Sequence, residues 1–134
     1  APFLLSQCLA KGLPDSALAA IVNIVDQRVW NPTSQFTSYT LSKMGLWNST
    51  QLLARSLAPR IRVNAVGPGP TLQSVHQSAE DFNWEVSAVP LKRAVTPQDI
   101  SRGVLFIIQS PTMTGQMIAL DSGQHLGPIR EMQE

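Results

Sequence analysis

Apolar side chains over residues 3–11 recur at helical spacing, and Gly12 with Pro14 closes the segment, which predicts a short opening helix. Residues 20–25, Ala-Ile-Val-Asn-Ile-Val, form a β-branched run too short for a helix and apolar almost throughout. That pattern predicts a parallel strand covered on both faces. After the turn signal Asn31-Pro32, residues 35–58 read as one long helix ended by Pro59. Its apolar positions, among them Leu41, Met44, Leu46, Trp47, Leu53 and Leu57, cover more than one stripe, so the helix is expected to pack on a sheet with one face and on another helix with a second. Gly45 within it is expected to admit a neighbouring backbone. Residues 60–66 predict a second strand, which runs into the irregular loop Gly67-Pro68-Gly69-Pro70.

Periodicity is weak over residues 71–95, with a short helix expected over 79–88. Thr96-Pro97-Gln98-Asp99 then carries the marks of a helix start: Thr96 as N-cap, Pro97 at the first helical position and Asp99 placed to complete a capping box. Ile100, Val104, Phe106, Ile107 and Ile108 are expected to form its buried side, and residues 116–120 predict a third strand. The alternation of helix and buried strand predicts an α/β domain with three parallel strands joined by right-handed crossovers.

Composition narrows this picture. A chain of 134 residues is one domain in size. Hydrophobic residues make up 43% and charged residues 14%, so some nominally outer surface is expected to be covered, most simply by self-association. With a net charge of +1 and scattered Lys and Arg, no nucleic-acid or anionic-membrane partner is expected. One Cys and two distant His give no metal-ligand spacing, and Cys8 among Leu5, Leu9 and Ala10 is expected to be a small buried residue. No apolar run has the length to span a bilayer, and the opening residues lack a basic leader, so a cytoplasmic protein is expected. The chain opens inside a helical pattern and is expected to be a piece of something longer.

In open parallel sheets ligands sit beyond the carboxyl ends of the strands. Asp26 follows the first strand there, and the Gly67-Pro68-Gly69 loop follows the second. Tyr39 and Lys43 stand four residues apart at the start of the helix between them, on one helix face. A lysine ammonium within about 4–6 Å favours the phenolate, so Tyr39 is expected to be unusually acidic and able to exchange protons near neutral pH. Taken alone, a tyrosine and a lysine at this spacing more often share a solvated face. Trp30, Phe36, Phe82 and Trp84 are candidate stacking surfaces for a flat substrate, although aromatic residues at such places more often serve core or oligomer packing. His76 and His125 are expected to be surface residues.

Ile21 to Asp26, Tyr39 to Lys43, Ile61 to Gly69 and Thr114 to Gly123, taken in order and spacing, make the chain resemble the second half of a short-chain dehydrogenase/reductase. The resemblance implies the C-terminal portion of a Rossmann-type doubly wound sheet, residues 1–134 forming a single domain. It implies a nicotinamide cofactor, NADPH, with Tyr39 and Lys43 on its ribose and Pro68, Gly69 and Thr71 lining the nicotinamide side. It also implies a homodimer or homotetramer built on helix 35–58.

Two features depart from the family pattern. Where the family usually has a serine, thirteen residues before the tyrosine, this chain has Asp26, which resembles pteridine and dihydromonapterin reductases. By that resemblance Tyr39, Lys43 and Asp26 are the catalytic residues, Asp26 and Trp30 face the substrate, and hydride passes to a pterin-like C=N bond. An ionised carboxylate near Tyr39 opposes the phenolate by up to a few kcal/mol at about 4 Å, so Asp26 is expected to share a proton or face an amino group of the heterocycle. The alternative for Asp26 is a loop cap paired with Arg28. The other departure is that nothing matches the family's Gly-rich pyrophosphate turn G-x-x-x-G-x-G, so the chain by itself is expected to lack the adenosine and phosphate pocket and to be inactive. A non-catalytic fragment keeping only the oligomerising helices, and a carbonyl reductase using Asp26 in place of serine, are the competing readings.

Overall fold

The computed structural model describes residues 1–75 and 77–127; His76 and the polar segment after Gly127 lie outside them. The elements are α1 (Pro2–Gly12), β1 (Ala19–Ile24), α2 (Thr37–Ser56), β2 (Ile61–Pro68), α3 (Ala79–Ala88), α4 (Pro97–Gln109) and β3 (Met117–Leu120), with single 3-10 turns at Gln27–Val29 and Gln124–Leu126. The strands run parallel in the order β1-β2-β3, with Ala19 opposite Ile61 and Ala65 opposite Met117. The predicted α/β class and all three strands are therefore present.

Alternation along β2 explains the two layers. Ile61 and Val63 pack against Leu53 and Ala54 of α2, and Ala65 joins Val25, Val29 and Met117 beneath Met44, Leu46 and Trp47. Val66 faces the other way, toward α4, where a side chain on Gly103 would come within 2.6 Å of Leu120 Cδ1 and 3.7 Å of Val66 Cγ2. Glycine at 103 therefore sets how closely α4 lies on the sheet. Arg62 projects from β2 and donates to the Ile107 and Ile108 carbonyls, acceptors that the C-terminal end of α4 leaves open, and to the Met113 carbonyl in the loop beyond it.

Several expectations are corrected. Cys8 is exposed, as are Leu5 and Leu9, because α1 leans on α2 and the margin of β1 and leaves most of its surface uncovered. β1 is an edge strand, only partly buried over most of its length, with Ile24 44% exposed, so it is not covered on both faces. Gly45 lies on the exposed face of α2 and no other part of the described chain comes within 4 Å of a Cβ placed there. In α4 the buried positions are Gly103 and Ile107, whereas Phe106 and Ile108 are at least half exposed. Residues 100, 103/104 and 107 form one helical stripe on the sheet, and 106 and 108 fall to either side of it.

The start of α4 is built as its sequence requires. The Thr96 hydroxyl accepts from the Asp99 amide at 3.1 Å, and Asp99 Oδ2 accepts from the Thr96 amide at 2.9 Å. The Thr96 hydroxyl also holds the Asp99 carboxyl below its ordinary range, with the Thr96 backbone acting in the same direction. A depressed carboxylate stabilises the fold above the unfolded value of about 4 and ceases to do so as acid protonates it in the folded state. Thr96→Ala is expected to cost about 1 kcal/mol in urea unfolding at neutral pH, and its deficit against wild type is expected to narrow in acid.

Candidate active site

β1 delivers its last hydrogen bond when the Val25 amide donates to Val66 O at 2.8 Å, and the next residue, Asp26, leaves the sheet in an extended conformation. One carboxylate oxygen, Oδ1, accepts from the Arg28 amide at 2.8 Å and caps the turn Gln27–Val29. The other, Oδ2, accepts a 2.8 Å hydrogen bond from the Tyr39 hydroxyl. Asp26 thus caps its loop and meets the tyrosine at once. Its partner in the cap is the Arg28 main chain; the Arg28 guanidinium instead donates to Thr33 Oγ1 and Gln35 O and lies 5.4 Å from the Phe36 ring centroid. Phe36, in the left-handed region at φ 56°, turns the chain into α2 and so sets where Tyr39 begins its first turn.

Lys43 Nζ stands 5.7 Å from the centroid of the Tyr39 ring and donates to Ile24 O at 3.0 Å. The ammonium therefore sits over the ring and is tied to the end of β1, whereas the hydroxyl is tied to Asp26. This arrangement overturns the expectation of an acidic phenol. Burial raises the Tyr39 pKa above its ordinary value of 10, and the hydrogen bond to Asp26 and the Asp26 charge raise it further; Arg28 opposes them weakly. A phenolate here would face a carboxylate and forfeit the only hydrogen bond its oxygen makes among the described residues. Tyr39 consequently holds its proton throughout the neutral range.

The stretch expected as an irregular loop begins inside β2, with Gly67 opposite Ala119 and Pro68 opposite Leu120, and it closes on the same corner. A Cβ on Gly67 would lie 3.0 Å from Met117 Sδ and 3.3 Å from the Gln27 amide, so the absent side chain lets the Asp26 turn settle on the end of β2. Gly69 donates to Leu120 O at 3.0 Å, and a Cβ there would fall 2.5 Å from Asp121 Cα, which only glycine tolerates. Thr71 Oγ1 donates to Gly69 O at 2.9 Å, holding the loop where it leaves Pro68. Tyr39, Lys43 and Asp26 are thus in one constellation, and the end of β2 at Gly67 adjoins it through Gln27, with Pro68, Gly69 and Thr71 following in the chain. Trp30 ends the Asp26 turn, 44% exposed. Phe36 is engaged with Arg28, and Trp84 stands 71% exposed on α3.

The family model described as enoyl-(acyl carrier protein) reductase matches residues 1–125. The chain belongs to the short-chain dehydrogenase/reductase family. It is 31% identical over 127 residues to a dihydromonapterin reductase of Escherichia coli, covering 93% of this chain and 53% of that protein. Among solved structures it is similar to the FolM alternative dihydrofolate reductase 1 from Brucella canis complexed with NADP, at 51% identity and a TM-score of 0.92, covering 96% of this chain and 52% of that one. A small-chain dehydrogenase in complex with NADPH is 27% identical with a TM-score of 0.82, covering 94% of this chain and 59% of that one. The chain spans about half the length of the curated relatives it matches.

A cluster adjoining the Asp26 turn escaped the sequence reading. Asp121, directly after β3, accepts from both the main chain and the ring Nδ1 of His125 at 2.7 Å, and the His125 ring meets Trp30 edge to face at 5.4 Å. The signal was available: an aspartate and a histidine four residues apart at the carboxyl end of a strand. No helix among the described residues is long and apolar enough to cross a membrane.

Proposed function

We propose that the parent protein is an NADPH-dependent oxidoreductase of the cytoplasm that reduces a pterin-like C=N bond, with the chain 1–134 supplying the proton-transfer side of the site. The observation that carries this reading is the 2.8 Å hydrogen bond from Tyr39 to Asp26 beside Lys43. It is supported by the similarity to a dihydromonapterin reductase and to an alternative dihydrofolate reductase complexed with NADP.

The residues present suit the cofactor. Lys43 and Ser42 line a hollow of about 350 Å³ beside the start of α1. An ammonium has three donors, and the described structure engages one of Lys43's, on Ile24 O, leaving others for ribose hydroxyls. When bound, the nicotinamide supplies hydride to the ring carbon. Asp26 accepts hydrogen bonds from ring N–H or amino groups and so orients the heterocycle. Tyr39, held protonated, gives its proton to the ring nitrogen as that nitrogen gains negative charge, and Lys43, over the phenol ring, stabilises the phenolate so formed. Pro68, Gly69 and Thr71 line the nicotinamide side, and Trp30 forms a wall of the substrate mouth.

Oligomer formation belongs to the same proposal. Leu41, Gly45, Asn48 and Leu52 form one exposed stripe along α2, with Leu41 63% and Leu52 70% exposed. Pairing of α2 with α2 of a second copy covers that stripe, with Gly45 at the close approach, and yields a dimer or a tetramer.

The purified parent protein is expected to bind NADPH saturably in the micromolar range, read by nicotinamide fluorescence, and to turn over dihydrobiopterin in clear preference to simple ketones. A preference for ketones would sink the pterin reading. Absence of any binding would instead favour a non-catalytic chain.

A further inference from the structure

We propose that Asp121, His125 and Trp30 form a positioning chain for the substrate, in which the buried carboxylate fixes the imidazole and the imidazole edge fixes the plane of the indole. This inference rests on the reading of Trp30 as a wall of the pterin mouth.

Each link has a physical cause. The Asp121 side chain is 2% exposed, and all of its acceptor capacity on view is spent on the turn after β3: Oδ1 accepts from the Gly123 amide at 3.0 Å, and Oδ2 meets the His125 amide and Nδ1 at 2.7 Å each. An ionised carboxylate only accepts, so Nδ1 carries a proton, which fixes both the tautomer and the ring orientation. Rotation of the imidazole would break a short bond to a buried anion. The turn itself is held from the other side, where Gln124 Nε2 donates to Glu85 Oε1 of α3 at 2.9 Å. Fixed in this way, the imidazole stands 5.4 Å from the Trp30 ring at an interplanar angle of 78°, the edge-to-face geometry that aromatic pairs favour. The rest of the Trp30 surface, 44% of the residue, is exposed in this chain beside the Asp26 turn. The indole is therefore supported from one side and open on another, the condition for a stacking platform that must not swing.

The decisive measurement is fluorine NMR of the chain 1–134 carrying 5-fluorotryptophan, whose three tryptophans give three resonances and whose Trp30 signal is assigned by Trp30→Phe. His125→Asn keeps a donor for Asp121 and loses the aromatic edge; His125→Phe keeps the edge and loses the donor. Both are expected to shift and narrow the Trp30 resonance while leaving those of Trp47 and Trp84 in place, since a folded protein preserves the latter two. In turnover by the parent protein, both variants are expected to raise KM for dihydropterin up to roughly tenfold with kcat within about twofold, the worth of one aromatic contact. NADPH affinity is expected to stay unchanged. A Trp30 resonance that does not move in either variant overturns the chain outright. A moved resonance with unchanged KM overturns its substrate-orienting role. Wild-type protein that binds NADPH but fails to reduce any pterin counts against the proposed reaction, and the resonance still decides whether His125 holds Trp30.

Discussion

Phenylalanine in place of Tyr39 is expected to lower kcat of the parent protein with dihydropterin about 10²- to 10⁴-fold, the range that a positioned proton donor contributes. The substitution removes one oxygen and leaves the ring beneath Lys43, so NADPH affinity is expected to fall much less than turnover. The loss is attributed to proton delivery because the hydroxyl bonds only to Asp26 Oδ2 among the described residues and carries no other structural load. Asp26 keeps its cap on the Arg28 amide in the variant, so the loop is expected to hold its shape. Steady-state kinetics with nicotinamide fluorescence as the binding control decide the matter; a Tyr39→Phe protein within about threefold of wild type would remove Tyr39 from the reaction.

Asparagine in place of Asp26 is expected to bring the ionisation of Tyr39 down toward its ordinary value. Tyr39 is the chain's single tyrosine, so near-ultraviolet absorbance titrates it directly. The sign follows from the causes: desolvation remains, whereas the carboxylate charge and its hydrogen bond, both of which raise the phenol pKa, are removed or weakened. A group whose pKa is raised on folding stabilises the protein below its unfolded value near 10, and that stabilisation is lost as pH climbs through the folded value. The wild-type protein is therefore expected to lose stability in strong base more steeply than the Asp26→Asn variant. Pterin turnover is expected to drop about 10²-fold in Asp26→Asn, because the carboxylate that accepts from the heterocycle is gone although the phenol has become more acidic. An unchanged tyrosine titration would show that the Tyr39–Asp26 bond does not govern that proton.

The relation between these two residues was only half legible in the sequence. A strand ending at Asp26 and a helix beginning before Tyr39 placed both at one end of the sheet, since local periodicity and capping signals specify elements and parallel topology specifies which ends meet. The Thr96-Pro97-Gln98-Asp99 start of α4 was equally plain, because its hydrogen bonds join residues three apart. What periodicity could not supply was the partner of each polar atom. Lys43 and Tyr39 share a helix face as their spacing requires, yet the ammonium is drawn to Ile24 O and the hydroxyl to Asp26, contacts 19 and 13 residues distant. The phenol's proton affinity turned on those contacts and not on the spacing. Cys8 and Phe106 were misjudged for a related reason: apolar character says that a side chain gains from burial, but only the position of its element says whether anything is there to cover it.

The sequence by itself determined the order of helices and strands, the parallel sheet, and the candidate trio of Asp26, Tyr39 and Lys43. Only the tertiary structure decided that the Tyr39 phenol is bound to Asp26 and holds its proton, and that His125 stands between Asp121 and Trp30. Element type follows from side-chain periodicity over a few residues, whereas proton affinity and ring orientation depend on fields and hydrogen bonds within a few ångströms, which the fold assembles from distant parts of the chain.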